Sequence, residues 1–277
     1  MVDDAEGRLK EHACNWNVQV EHVRATTTSV LGFGAREGEA VVLKVARTNG
    51  DEWNTGTIAA AFQGRGMVNV LIHTPGAMLM EWLRPGASLV YIAADDDDAA
   101  ARIIAELIRA MQPTQPISGT PTAEQWGTAF DRYLAGSNRE IPPALVIEAR
   151  DRYFRLCETQ KERLLLHGDL QHYNILSSGS GRWTAIDPKG VIGEIEFEVA
   201  ASLRNPQSHR ECYSDRDRVR NRIELFARHL KVDATRLTEW AFAQAILSAV
   251  WTCEDEGTIH SQNPALLLAA AARSLLA

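Results

Sequence analysis

His167-Gly168-Asp169-Leu170-Gln171-His172-Tyr173-Asn174-Ile175-Leu176, followed by Ala185-Ile186-Asp187-Pro188, spaces three oxygen-bearing side chains as phosphoryl transfer requires. Moving a γ-phosphate takes one carboxylate to orient the attacking hydroxyl and accept its proton. It also takes hard oxygen ligands to hold Mg²⁺ across the phosphates. Asp169 fits the first demand; Asn174, a neutral amide oxygen, and Asp187, a charged carboxylate, fit the second. Any one of them could instead cap a turn or close a hairpin, and it is the constellation that argues for chemistry.

The interval from Asp169 to Asn174 is that of the protein-kinase catalytic loop, but Gly168 stands where that loop has Arg, and Pro188 follows Asp187 in place of Phe-Gly. His-Gly-Asp, Asn-Ile-Leu and Ile-Asp-Pro together resemble the aminoglycoside phosphotransferase family. Residues 166–188, Val191-Ile192-Gly193-Glu194 and Leu247-Ser248-Ala249-Val250-Trp251 are most similar to its streptomycin 6-phosphotransferase and hydroxyurea kinase branch. The likeness runs from about residue 15 to the C-terminus.

The resemblance implies an α+β, protein-kinase-like two-lobe fold. Its small lobe, residues 1–84, would be an antiparallel sheet with one helix that binds nucleotide; its larger lobe, residues 85–277, would be mainly helical and carry catalysis and the acceptor. It further implies a monomer that uses ATP and Mg²⁺ and transfers the γ-phosphate directly, in line, to an aminoglycoside hydroxyl as an antibiotic-resistance enzyme. The alternative is a metabolic kinase of the same fold acting on hydroxyurea, a sugar, an amino sugar or an amino alcohol.

Composition bounds these readings. Across 277 residues, Lys and Arg number 29 and Asp and Glu 36, a net charge of −7, which argues against a nucleic-acid footprint. Mild acidity is compatible with a cationic substrate, though many soluble proteins share it. The four cysteines, Cys14, Cys157, Cys212 and Cys253, form no CxxC pair, so neither a zinc site nor a disulfide framework is expected. No apolar run is long enough to span a bilayer and the N-terminus is acidic, so no membrane partner and a cytoplasmic location are expected.

Patterning agrees with two lobes. Residues 18–20, 29–31 and 40–45 read as short strands with a turn over 36–39; residues 51–62 read as an inserted helix, and 68–72 and 77–82 as two more strands. After Gly86 the pattern turns helical, with helices expected over 99–111, 144–163, 219–229, 235–252 and 264–276 and a short strand over 183–187. The acids at 95–98 fit stabilisation of a helix N-terminus.

Further candidates lie outside the catalytic stretch. Lys44, inside the run Val41-Val42-Leu43, is costly to bury unless it meets an anion such as ATP phosphate; alone it would read as a snorkelling lysine. Glu52, or less readily Asp51, is its expected ion-pair partner. Gly32-Phe33-Gly34 is only a fragment of a glycine-rich pattern, and Thr28 and Ser29 sit at a turn that either meets phosphate or is merely polar. By resemblance, Glu81, Trp82 and Leu83 form the hinge that meets adenine, and Glu198 braces the catalytic loop. For the acceptor, Glu194 or Glu196 and the segment with Trp251, Glu254, Asp255 and Glu256 offer carboxylates and an aromatic face to a small hydroxylated cation, or else form solvated loops.

Overall fold

The computed structural model describes residues 4–50 and 52–277, and Asp51 lies outside them. The chain divides into two compact units, Met1–Ala87 with Asn174–Gly190, and Ser88–Tyr173 with Val191–Ala277.

The first unit runs α1 (Ala5–Asn15), β1 (Gln19–Ala25), β2 (Ser29–Arg36), β3 (Glu39–Ala46), α2 (Thr55–Ala61), β4 (Val70–Thr74) and β5 (Ala77–Glu81). Its strands make an antiparallel sheet in the order β1-β2-β3-β5-β4. Strand β3 is central and buried on both faces, which is why its sequence is an unbroken apolar run around one lysine. Val41, Leu43 and Val45 pack with Ala5, Leu9, Val30 and Leu79 in the core under α1. Strand alternation therefore turns Lys44 to the opposite face. The Gly32-Phe33-Gly34 fragment lies inside β2: a Cβ on Gly34 would stand 1.9 Å from Gln19 O, so this glycine serves the close approach of β1 rather than phosphate.

The second unit begins with α3 (Val90–Asp95), α4 (Asp97–Met111), α5 (Ala123–Ala135), α6 (Pro143–Glu158) and β6 (Leu164–Leu166). The chain then re-enters the first unit as the hairpin β7 (Ile175–Ser177) and β8 (Trp183–Ala185), tied there by Val68 N to Ala185 O at 2.9 Å and Gly86 N to Ser177 O at 3.0 Å. These bonds correct the boundary expected after residue 84. The first unit reaches Ala87 and takes in residues 174–190 from mid-chain.

Strand β9 (Val191–Gly193) pairs antiparallel with β6, and α7 (Ile195–Leu203), α8 (Glu211–Ser214), α9 (Arg216–Leu230), α10 (Ala234–Glu256) and α11 (Pro264–Leu275) complete the second unit. From Trp240 to Val250, α10 is buried on nearly every side, as a helix segment surrounded by others must be. Its Trp240 meets Tyr153 of α6 and Phe197 of α7 edge-on, each at 5.1 Å. Asp96 caps α4 by accepting Ala99 N at 2.8 Å, as the acidic run suggested. The residues expected to form a loop after a helix, 254–256, are instead the last turn of α10, which Gly257 ends in the left-handed conformation. Among the described residues, no helix is long and apolar enough to cross a membrane.

Candidate active site

In the first unit the charged side chains converge on Lys44. Its Nζ lies 2.8 Å from Asp187 Oδ1 and 3.1 Å from Glu52 Oε2, with only 5% of the side chain exposed. Burial alone would depress the ammonium pKa; Asp187 and Glu52 more than offset it and hold it above the ordinary value. Glu52 sits in the turn before α2, not within the helix as expected, and its other oxygen accepts the Thr28 hydroxyl at 2.6 Å. The turn carrying Thr28 is pinned by Arg47, whose N–H donates to Thr28 O and whose Nε donates to Thr26 O. Ser29 is different: it is buried, and its hydroxyl pairs with that of Thr26.

Asp187 holds a positive φ of 57°, a strained conformation for any residue but one that Asp tolerates better than most. The β7–β8 register sets Asn174 opposite Ile186, whose N–H donates to Asn174 O at 2.9 Å, so the two oxygen-bearing candidates flank one hairpin base. At the predicted hinge, Glu81 N and Trp82 N already donate to Asn69 O and Ala40 O. The Trp82 ring packs on Phe33 and lies under Arg84, 4.1 Å from its guanidinium.

In the second unit the catalytic loop leaves β6 and passes through Gly168 at φ 82°, a region where a Cβ is penalised; this explains glycine in place of arginine. Glu198 of α7 accepts the N–H groups of His167 at 2.6 Å and Gly168 at 3.0 Å, and Asp169 N donates to His167 Nδ1 at 3.2 Å. Arg204, which ends α7, brings Nη2 to 3.5 Å from Asp169 Oδ1. His172, fully buried, has its pKa pushed well down by desolvation, with Arg222 and His209 adding to the effect, so it stays neutral and packs.

The sequence pattern of the aminoglycoside/hydroxyurea antibiotic resistance kinases matches residues 15–256. The chain belongs to that family. It is 30% identical to a streptomycin 3''-kinase of Klebsiella pneumoniae over 87% of this chain and 90% of that one. It is 27% identical to a streptomycin 6-kinase of Streptomyces glaucescens over 96% and 88% of the two chains. Its fold matches that of the choline kinase LicA of Streptococcus pneumoniae with a TM-score of 0.68 and 14% identity, covering 98% of each chain. The chain is thus an ATP-dependent phosphotransferase with an alcohol group as acceptor, built on the two-lobe α+β kinase fold.

Within this kinase the acids expected at the acceptor divide. Glu194, the N-cap residue of α7, and Glu198 within the helix are both buried. Glu194 is 4% exposed and is taken up by Arg236 at 2.6 Å and by the Trp240 indole N–H, which corrects its expected role of facing the acceptor. Glu196 is half-buried, and burial raises its pKa. Glu254 accepts two bonds from Arg132, at 3.0 and 3.1 Å, while Asp255 and Glu256 are exposed. Trp251 stands edge-on to Trp126 of α5 at 5.4 Å, and Trp126 in turn meets Phe197. Trp126 and Arg204 escaped the sequence reading. The Thr122–Gln125 capping box announced the helix that carries Trp126, whereas no spacing rule marks Arg204.

The buried Glu198 carboxyl is pushed up to about 7 from an ordinary 4.5, chiefly by desolvation, against the backbone N–H groups that favour its ionised form. Folding therefore takes up a proton between those two values, and stability falls as pH rises through that window. Unfolding midpoints measured from about pH 5 to about pH 7.5 should show this decline in the natural chain and a flatter profile in Glu198→Gln. Identical slopes would exclude Glu198 as its source.

Proposed function

We propose that this kinase transfers the γ-phosphoryl group of ATP, bound with Mg²⁺, directly to a hydroxyl of streptomycin, acting in the cytoplasm as a monomer and conferring resistance to the drug. One observation carries the nucleotide half of the reading: Lys44 is buried between Asp187 and Glu52, the ion-pair arrangement a kinase needs to place a cation on phosphate. Support for the acceptor comes from the relatives named as streptomycin kinases.

Each residue has a physical task in this scheme. Lys44, oriented by Glu52, meets the phosphates; Thr28 shares Glu52, and Ser29 supports the same turn from within. The Glu81 and Trp82 amides are already engaged, so adenine would be met by the neighbouring backbone of Leu83, with Trp82 supplying packing. Among the described residues no three His, Cys, Asp or Glu side chains could cage a metal. Mg²⁺ does not require such a cage, since it keeps waters and takes one or two protein oxygens plus phosphates, which suits Asp187 and Asn174. When bound, the ion would neutralise charge on the β- and γ-phosphates. Asp169 orients the acceptor hydroxyl and takes its proton. Glu196, Asp255, Glu256 and Glu254, the last shared with Arg132, and the Trp251–Trp126 pair offer carboxylates and aromatic edges to a guanidinium-bearing sugar.

An ATP-consumption screen against streptomycin, hydroxyurea, amino sugars and choline-like alcohols tests the reading. Streptomycin should give the strongest signal, with the phosphate mapped by NMR to the 6-hydroxyl. Streptomycin remaining silent while an amino sugar or hydroxyurea turned over would replace this reading with that of a metabolic kinase.

A further inference from the structure

Arg222 of α9 is 1% exposed, and its guanidinium donates to four backbone carbonyls: Ser202 at 3.1 Å, Leu203 at 3.0 Å, Asn205 at 3.0 Å and Cys212 at 3.0 Å. Two of these belong to the last turn of α7, whose carbonyls have no partner within the helix. A buried cation there answers both the unsatisfied acceptors and the negative end of the helix dipole. Asp97, with Oδ2 at 3.5 Å from Arg222 Nε, balances part of its charge. The backbone on either side of Arg204 is thus fixed at residues 202, 203 and 205, and the direction in which the Arg204 side chain leaves the helix is fixed with it.

That direction is toward Asp169: the Arg204 guanidinium lies 3.5 Å from Oδ1. The loop bearing Asp169 is held by the same helix from a second point, since Glu198 binds the amides of His167 and Gly168. Helix α7 therefore grips the loop twice, by its backbone through Glu198 and by its carboxylate through Arg204. We propose that Arg204 is a positioning residue for Asp169, holding one carboxylate oxygen so that the carboxylate points at the acceptor hydroxyl, with the Arg222 cap keeping Arg204 in place. The proposal rests on the reading of Asp169 as the group that receives the hydroxyl proton. Orientation of a reacting group enters the rate of the chemical step, not the binding of either substrate.

The test is a double-mutant cycle with streptomycin as acceptor, and with slow ATP hydrolysis as a readout that needs no acceptor. Arg204→Gln should lower kcat by about 10- to 100-fold. Streptomycin KM and Mg-ATP affinity should stay within about twofold of the natural chain, and Arg204→Lys should restore most of the rate. Added to Asp169→Asn, the same substitution should cost less than about twofold more, because a residue acting through Asp169 has nothing left to act on. Should Arg204→Gln fail to fold, Arg204→Met, which keeps the length of the side chain and removes its charge, carries the same cycle. A wild-type kcat in Arg204→Gln beside an inactive Asp169→Asn would overturn the proposal alone, as would a loss that persists fully in the Asp169→Asn background or one confined to KM. Near-natural turnover in Asp169→Asn would instead overturn the assignment of Asp169 itself.

Discussion

Asp169→Asn should lower the rate of phosphate transfer by about 10²- to 10⁴-fold, the usual worth of a positioned general base, while Mg-ATP still binds. The expectation follows from where the structure invests its bonds. Gly168 adopts a conformation costly for other residues, Glu198 holds the two preceding amides, and Arg204 addresses the carboxylate, so three separate devices act on one side chain. The Lys44 cluster is built from other residues, Glu52 and Asp187. Nucleotide affinity, read by calorimetry, should therefore part company with turnover, read by coupled ADP release. An Asp169→Asn chain that turned over at the natural rate would remove Asp169 from the chemistry.

Asp187→Ala should fail in both measurements. Removing its carboxylate takes away the nearer of the two acids that hold the buried Lys44 and one of the two oxygens assigned to Mg²⁺. Losing a charged group aimed at transferring phosphate costs about 10²- to 10³-fold in rate, and here a weakened Mg-ATP complex should accompany it. Unchanged nucleotide affinity in Asp187→Ala would separate Asp187 from the phosphates and leave only a structural role in the hairpin. The contrast between the two substitutions, one affecting rate alone and the other rate and binding together, is the signature of divided labour along a single short stretch of chain.

Most of that stretch was legible because its chemistry depends on residue type and interval. Asp169, Asn174 and Asp187 announce themselves by spacing, and Lys44 by being a charge inside an apolar strand. The sheet was legible too, since β3, buried on both faces between β2 and β5, reads as an unbroken apolar run. Illegible were features that depend on long-range packing. The hairpin at 174–190 joins the first unit through backbone bonds to Val68 and Gly86, which no local pattern encodes. Glu194, at the N-cap of α7, looks solvent-facing in sequence yet turns inward to meet Arg236 and Trp240, whereas the hold of Glu198 on the catalytic loop is the one the family resemblance implies. The acids at 254–256 read as a loop because a helix rarely ends on negative charge; Arg132 compensates Glu254 there. Arg204 matters through a fold contact 35 residues from Asp169, invisible to any interval rule.

The most direct measurement is phosphorus NMR of the purified chain mixed with Mg-ATP and streptomycin, run beside the same mixture containing Asp169→Asn. The natural chain should produce ADP together with a phosphomonoester resonance coupled to one streptomycin ring proton, and the variant should produce neither above background. A phosphate ester of equal intensity from both proteins, or none from the natural chain, would contradict a streptomycin kinase in which Asp169 drives the transfer.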